Sequence, residues 1–216
     1  MKISGKYVCP YDHPLIEEYA RVIESLSKEH EVVVVTGGGS AARKYIEKAP
    51  NSKAIKDIVG IRVARLNAFL LASHIPSAKK VVPRNADEFV EAWDGKSVVV
   101  LGGFQPGQST NAVSLIVAEI IGAELVVNAT TVDAVYDKPP SEPGAKRIEK
   151  IRADELMKLL QSEGWSNEPG RYELMDSLAL QIVKRSGIPV AVVPGWNPEA
   201  VVDAIERKKW GTLILP

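Results

Sequence analysis

Four runs rich in valine, isoleucine and leucine, residues 32–35, 97–101, 125–128 and 190–193, are each bounded by glycine, proline or charge. Runs this apolar, without alternating polar positions, predict strands covered on both faces. Around them, apolar residues recur at helical spacing over residues 15–28, 40–48, 58–73, 111–121, 153–161, 176–186 and 198–208. Asp176 is placed to cap the sixth of these helices and Gly187 to end it. Strand and helix alternate along the whole chain, which predicts an α/β fold with a parallel sheet and right-handed crossovers.

Two stretches break the pattern. Residues 137–146, DKPPSEPGAK, hold three prolines and a glycine, which forbid regular structure. Residues 163–170 form a second break just ahead of Asp176. Neither an internal repeat nor a low-complexity linker divides the chain, and residues 1–216 are expected to form one domain.

Composition narrows the function classes. With 216 residues and 45% apolar content the chain can fill a proper core. Lys plus Arg equals Asp plus Glu at 27 each, so bulk charge attracts neither nucleic acid nor a membrane, and any bound anion must be held by local geometry. The single cysteine, Cys9, cannot form an internal disulfide, and no signal peptide or spanning apolar run is present, so a cytoplasmic location is expected. Three histidines and one cysteine, scattered along the sequence, give no metal-ligand spacing.

The chemistry is suggested by two turns. The first valine run passes into Thr36-Gly37-Gly38-Gly39-Ser40 and then a helix, with Arg43 one turn in. Glycine lets the backbone approach a ligand closely, and the helix start points free N–H groups at it, which makes an anion site. A guanidinium there can clamp phosphate oxygens in a fork. A second turn of the same kind, GGFQPGQST, follows residues 97–101 and leads into another helix. Two such turns suggest two phosphate groups or one long phosphate chain.

Both turns imitate better-known motifs. Gly37-x-Gly39-x-x-Ala42 fits the dinucleotide pattern, but its acid, Asp57, should end a second strand, and the polar NSKAIKD precludes one. The stretch from Gly102 to Ser109 fits a P-loop except that Gln108 replaces the phosphate-binding lysine. Phosphoryl transfer needs positive charge on the migrating group. Lys2 and Lys6, around the small Ser4-Gly5 turn, are the candidates to supply it; solvated terminal lysines are the plainer alternative.

In sequence order, KxSGK, GGGxxxR, GGxxPGxST, NATTVDAVY and MDSLAL resemble the amino acid kinase family, and within it the uridylate kinases of the archaeal branch. The resemblance covers nearly the whole chain. It implies a three-layer α/β/α sandwich around a mostly parallel sheet, ATP and UMP as substrates with Mg2+, and assembly as a homohexamer. It also implies that the amino-terminal part binds UMP and the carboxyl-terminal part ATP.

Carried over residue by residue, Lys2 becomes the main charge stabiliser, with Lys6, Ser4 and Gly5 against the transferring phosphoryl and Asp176 orienting the lysine. Gly38, Gly39 and Arg43 line the phosphates, and Asp57 takes the ribose hydroxyls of UMP. Phe104, Gln105, Pro106, Gly107, Gln108, Ser109 and Thr110 wrap uracil and ribose, while Thr130, Asp133 and Tyr136 belong to the ATP pocket. Helix capping by Asp57 or Asp176, and core packing by Tyr136, are the duller readings of those residues.

The chain departs from the family pattern in places. Only Met1 precedes Lys2 where several apolar residues are usual, so either β-structure there is truncated, leaving Lys2 poorly anchored, or the start lies upstream. Ala134 stands where glycine is common, Pro139 where an aspartate often meets ATP, and Asn111 where aspartate is frequent. Two other readings remain open. One is a sister kinase such as isopentenyl phosphate kinase, although Ala41, Ala42 and Arg43 stand where those enzymes place a histidine. The other is a non-catalytic nucleotide- or oxyanion-binding protein on the same scaffold.

Overall fold

The structure is a computed structural model that describes residues 1–138, 142–161 and 174–216. Its strands are β1 (Lys2–Ile3), β2 (Val33–Thr36), β3 (Val99–Leu101), β4 (Val126–Thr130), β5 (Val135–Tyr136), β6 (Arg147–Ile148), β7 (Lys150–Arg152), β8 (Val190–Pro194) and β9 (Thr212–Leu215). The helices are α1 (Ile16–Leu26), α2 (Gly39–Lys48), α3 (Lys53–His74), α4 (Ala86–Ala92), α5 (Thr110–Ile121), α6 (Ala153–Gln161), α7 (Ser177–Ser186) and α8 (Glu199–Glu206).

Seven strands form one sheet in the order β3-β2-β1-β4-β8-β9-β7, parallel except that β9 runs against β8. Helices cover both faces. On one, Ile3, Val34, Val100, Val127 and Val193 pack with residues of α1, α3 and α8. On the other, Val33, Val35, Val126 and Val192 pack with α5, α7 and neighbouring elements. This is the expected three-layer α/β/α sandwich. Each valine so buried contributes about 1.5–3 kcal/mol of transfer free energy, which is why the valine runs carry no alternation.

Four of the four expected strands appear, shifted by one or two residues. Helix α3 starts at Lys53, five residues before the expected residue 58, because the Ser52 hydroxyl accepts the Ile55 N–H at 3.4 Å and caps the helix there. The pattern missed α4, a single-sided helix of seven residues capped by Asn85, and missed β1, β5 to β7 and β9. These strands are two to four residues long, too short for periodicity to register. β5 and β6 pair as a small antiparallel hairpin around the proline-rich residues 137–146, whose described part is neither helix nor strand. Pro139 and the break at 163–170 lie outside the described residues.

The site is positioned by topology. From β1 the chain winds outward through β2 to β3, then crosses back to β4 on the other side of β1 and winds toward β8. Successive connections leave in opposite directions at the carboxyl ends of β1 and β4, the switch point at which an open α/β sheet places its ligand crevice.

Candidate active site

β1 ends in Ser4 and a 3-10 turn, Gly5–Tyr7, and this turn backs directly onto the Gly37–Gly39 turn after β2. A Cβ on Gly5 would sit 2.6 Å from the Gly37 carbonyl carbon, and one on Gly39 would sit 2.6 Å from the Cys9 Cβ. Gly39 also has φ +65. Only glycine permits two backbones to approach so closely and to turn this way. Asn67 of α3 fixes the turn from behind, its amide donating to the Gly37 carbonyl at 2.9 Å, and Thr36 donates to the Ala64 carbonyl at 3.1 Å. Gly38 lies at the start of α2.

One donor of the expected anion site is already taken. The Asp12 carboxylate accepts the Ser40 N–H at 2.8 Å. Burial pushes the Asp12 carboxyl up, but hydrogen bonds from Ser40 and Cys9, together with the positive charge of Arg43, outweigh it and hold the group below the ordinary carboxylate range. Arg43 itself is exposed on α2. The Gly37 N–H is taken too, donating to the Ile3 carbonyl at 3.2 Å, so the candidate anion-binding surface is the backbone of Gly5, Gly38 and Gly39.

Lys2 is buried in the centre of the sheet, at 6% exposure. It stands in register between Val35 and Asn128, so its side chain leaves the face covered by α5 and α7. Next to it, the Asn128 amide donates to the Leu174 carbonyl at 3.1 Å, and Asp176 follows two residues on. Lys2 is thus held by a strand neighbour on each side, unlike the poorly anchored alternative weighed for it from the sequence. Lys6 is half-buried in the 3-10 turn, its N–H donating to the Ser4 hydroxyl at 3.4 Å.

The second glycine turn is held by side chains. Arg65 of α3 donates to the carbonyls of Gly103 at 3.0 Å and of Phe104 at 2.8 Å. Asp57, exposed in the second turn of α3, accepts the Gly107 N–H at 2.9 Å. It caps nothing, since Ser52 does that. Gly107 has φ +80, Phe104 is buried, and Gln105 and Pro106 point to solvent. Ser109 caps α5, accepting the Ala112 N–H at 3.0 Å, and donates to Asp176. Asp176 caps α7 in turn, accepting the Ala179 N–H at 3.0 Å. Thr110 closes the circle, its hydroxyl facing the Gly37 turn.

Toward the carboxyl-terminal strands, buried Thr130 ends β4 and its carbonyl accepts the Gly195 N–H at 2.7 Å. The Tyr136 hydroxyl donates to both oxygens of Asp133, at 3.1 and 3.2 Å. Burial, followed by the Asp133 carboxylate, raises the Tyr136 pKa. Ala134 is fully buried, and a Cβ on neighbouring Gly211 would meet the Asp133 backbone. These three residues share one wall, separate from the Asp57 loop.

Buried polar atoms without a partner mark the space between the walls. Among the described residues, Ser40 Oγ, Gln108 Oε1, Asn111 Oδ1, Asn128 Oδ1 and, away on α6, Asp154 Oδ1 have no hydrogen-bond partner. Leaving such atoms unpaired is costly; Asn111 and Asn128, whose amides both donate to the Leu174 carbonyl, lie together beside Lys2 and fit a polar ligand there. Sequence reading missed Asp12, Arg65, Asn67 and Asn128. Only Asn128 carried a signal, as a polar residue closing an apolar run.

Glycine-backed helix starts beside a buried lysine, at the switch point of a parallel sheet, define an α/β phosphate-binding protein. The sequence profile of the amino acid kinase family matches residues 1–194, and the chain belongs to that family. A uridylate kinase of Ignicoccus hospitalis is 64% identical over 216 residues, covering 100% of this chain and 98% of that protein. A uridylate kinase of Hyperthermus butylicus is 46% identical over 99% of this chain and 96% of its own. The crystal structure of uridylate kinase from Archaeoglobus fulgidus superposes with a TM-score of 0.86 at 37% identity, covering 99% of this chain and 98% of that one.

Proposed function

We propose that the protein transfers the terminal phosphoryl group of ATP to UMP, giving ADP and UDP. The observation that carries this is the meeting of two glycine turns and buried Lys2 around one crevice, in a chain whose full-length relatives are named uridylate kinases. Those names disfavour both the sister-kinase and the non-catalytic readings.

A phosphate oxygen of UMP attacks the γ-phosphorus, a P–O bond forms, and the bond to the ADP oxygen breaks in line. The acceptor is already an anion at neutral pH, so no base is needed; alignment and positive charge are. Lys2 and Lys6 supply the charge, and Ser4, Gly5, Gly38, Gly39 and Arg43 line the phosphates. Asp57 and residues 104–110 hold ribose and uracil; Thr130, Asp133 and Tyr136 hold ATP. Asp176, which braces both helix starts, positions Lys2 and need not gain or lose a proton.

Mg2+ would enter with the triphosphate and supply positive charge to its oxygens. One domain serves both nucleotides, UMP on the amino-terminal part and ATP on the carboxyl-terminal part. Self-association is also proposed, as the homohexamer that the resemblance implies; exposed Leu66 and Phe69, three residues apart on α3 at 66% and 48% exposure, offer apolar surface for it. No described helix is long and apolar enough to cross a membrane, and we place the protein in the cytoplasm.

A coupled assay with ATP, Mg2+ and a panel of acceptors tests the reading. UMP should exceed CMP, dUMP and isopentenyl phosphate by about tenfold or more in kcat/KM. Similar rates for all four would refute the uracil and ribose assignments.

A further inference from the structure

Arg65 of α3 turns its charge toward backbone and not toward a carboxylate. Among the described residues it forms no ion pair. Its guanidinium donates instead to three carbonyls, those of Gly103 at 3.0 Å, Phe104 at 2.8 Å and Arg84 at 2.8 Å. The close approach that allows this is built into the loop: a Cβ on Gly102 would sit 2.6 Å from the Arg65 nitrogen, and one on Gly103 would sit 2.9 Å from Ile61 Cγ1. Earlier on the same helix, about 12 Å away along its axis, Asp57 accepts the Gly107 N–H. One helix therefore fixes both ends of the loop over residues 103–107.

Two successive carbonyls aimed at one guanidinium decide where the other ends of those peptides point. No cis bond occurs among the described residues, and in a planar trans peptide the N–H lies opposite the C=O. The N–H groups of Phe104 and Gln105 therefore both face away from Arg65, side by side, where an extended chain would send them to opposite sides. Successive N–H groups turned the same way form a concave donor site for oxygen. Neither donates to a protein atom among the described residues, although Phe104 is only 8% exposed and its side chain belongs to the cluster of Phe89 and Val113. The guanidinium at the carbonyl end also polarises each peptide and strengthens its N–H as a donor.

We propose that Arg65 is a positioning residue for base recognition: by holding the Gly103 and Phe104 carbonyls it presents the Phe104 and Gln105 N–H groups as paired donors that select a base edge made of carbonyl oxygen. The proposal rests on UMP being the acceptor. Uracil presents a carbonyl oxygen where cytosine presents an amino group, and an amino donor set against these N–H groups leaves them unpaired. Ribose is assigned to Asp57, so Arg65 acts on the choice of base and not on the choice of sugar.

Arg65→Lys tests this, because lysine keeps the charge but cannot fork across two carbonyls. The preference in kcat/KM for UMP over CMP should fall by about tenfold or more, through a higher KM for UMP, with kcat within about threefold of wild type. The ratio of UMP to dUMP should not move. A merely structural role would lower kcat for every acceptor alike and leave both ratios where they were, and that outcome would overturn the proposal. A second measurement needs no variant: in the wild type, bound UMP should slow amide exchange at Phe104 and Gln105 by about tenfold or more relative to bound CMP, and equal exchange would also overturn it. A wild type that phosphorylates UMP and CMP equally well defeats the uridylate reading itself, whereas a wild-type preference that survives in Arg65→Lys defeats only the role of Arg65.

Discussion

The two glycine turns start from the same strand-to-helix grammar and are finished in different ways. In the Gly37–Gly39 turn backbone meets backbone: Gly5 and the turn leave no room for a Cβ, and the carbonyl of Gly37 is pinned from behind by Asn67. In the turn from Gly102 to Thr110 only the base is so tight, with a Gly102 Cβ 2.6 Å from the Arg65 nitrogen; at Gly107 nothing lies within 4 Å. Side chains hold that tip, Asp57 from α3 and Asp176 through Ser109. A rigid cradle suits phosphate, whose shape does not change between nucleotides. A loop held by adjustable side chains suits a base and ribose that must be told from their relatives.

The sharpest way to break this contrast is Gly5→Ala. The added methyl meets backbone that cannot move, which should cost about 3 kcal/mol of stability or more and remove nearly all turnover, read by denaturant unfolding and the coupled assay. If Gly5→Ala folds and turns over normally, the cradle is not rigid.

Asp57→Ala should act on substrate recognition alone. The loss of the Gly107 hydrogen bond and the proposed ribose contact should raise KM for UMP by roughly 10- to 100-fold. Turnover at saturation should stay within a few-fold, as initial rates at varied UMP would report. A fall in kcat with KM unchanged would place Asp57 in the cradle's class instead.

Gly107→Ala meets open space, so its cost is the positive φ alone, about 1–2 kcal/mol, and activity should fall less than tenfold. Thermal unfolding beside that of Gly5→Ala gives the ratio directly.

The smallest effect concerns Asp12 at the α2 start. Its carboxyl is depressed in the folded protein, so its contribution is present above the unfolded value of about 3.9 and is lost as pH falls through the lower folded value. Wild type should exceed Asp12→Asn by about 2 °C in Tm at pH 6, with the gap closing in strong acid. A gap that persists at pH 2 would mean packing, not charge, is responsible.

The parts that could be read from the chain are those with local causes. Four valine runs became the parallel strands, and Asp176 and Gly187 bound α7 as expected, because a cap acts on the residues beside it. The dinucleotide decoy failed for a local reason too: Asp57 stands in a helix with no strand ahead of it. Contacts that complete the site were not readable. Asp57 reaches Gly107 across 50 residues, Ser109 reaches Asp176 across 67, and Asp12 reaches Ser40 across 28. No periodicity encodes such a pairing.

Sequence by itself determined the layers, the order of the two turns and the residue types able to hold phosphate, since burial, helix starts and glycine geometry depend on near neighbours. Tertiary structure alone decided that Lys2 is a buried central residue, that Asp12 occupies part of the first helix start, and that Asp57 reaches the second glycine turn. Each of these depends on which strands become neighbours and in what register, and that is settled when the whole sheet packs.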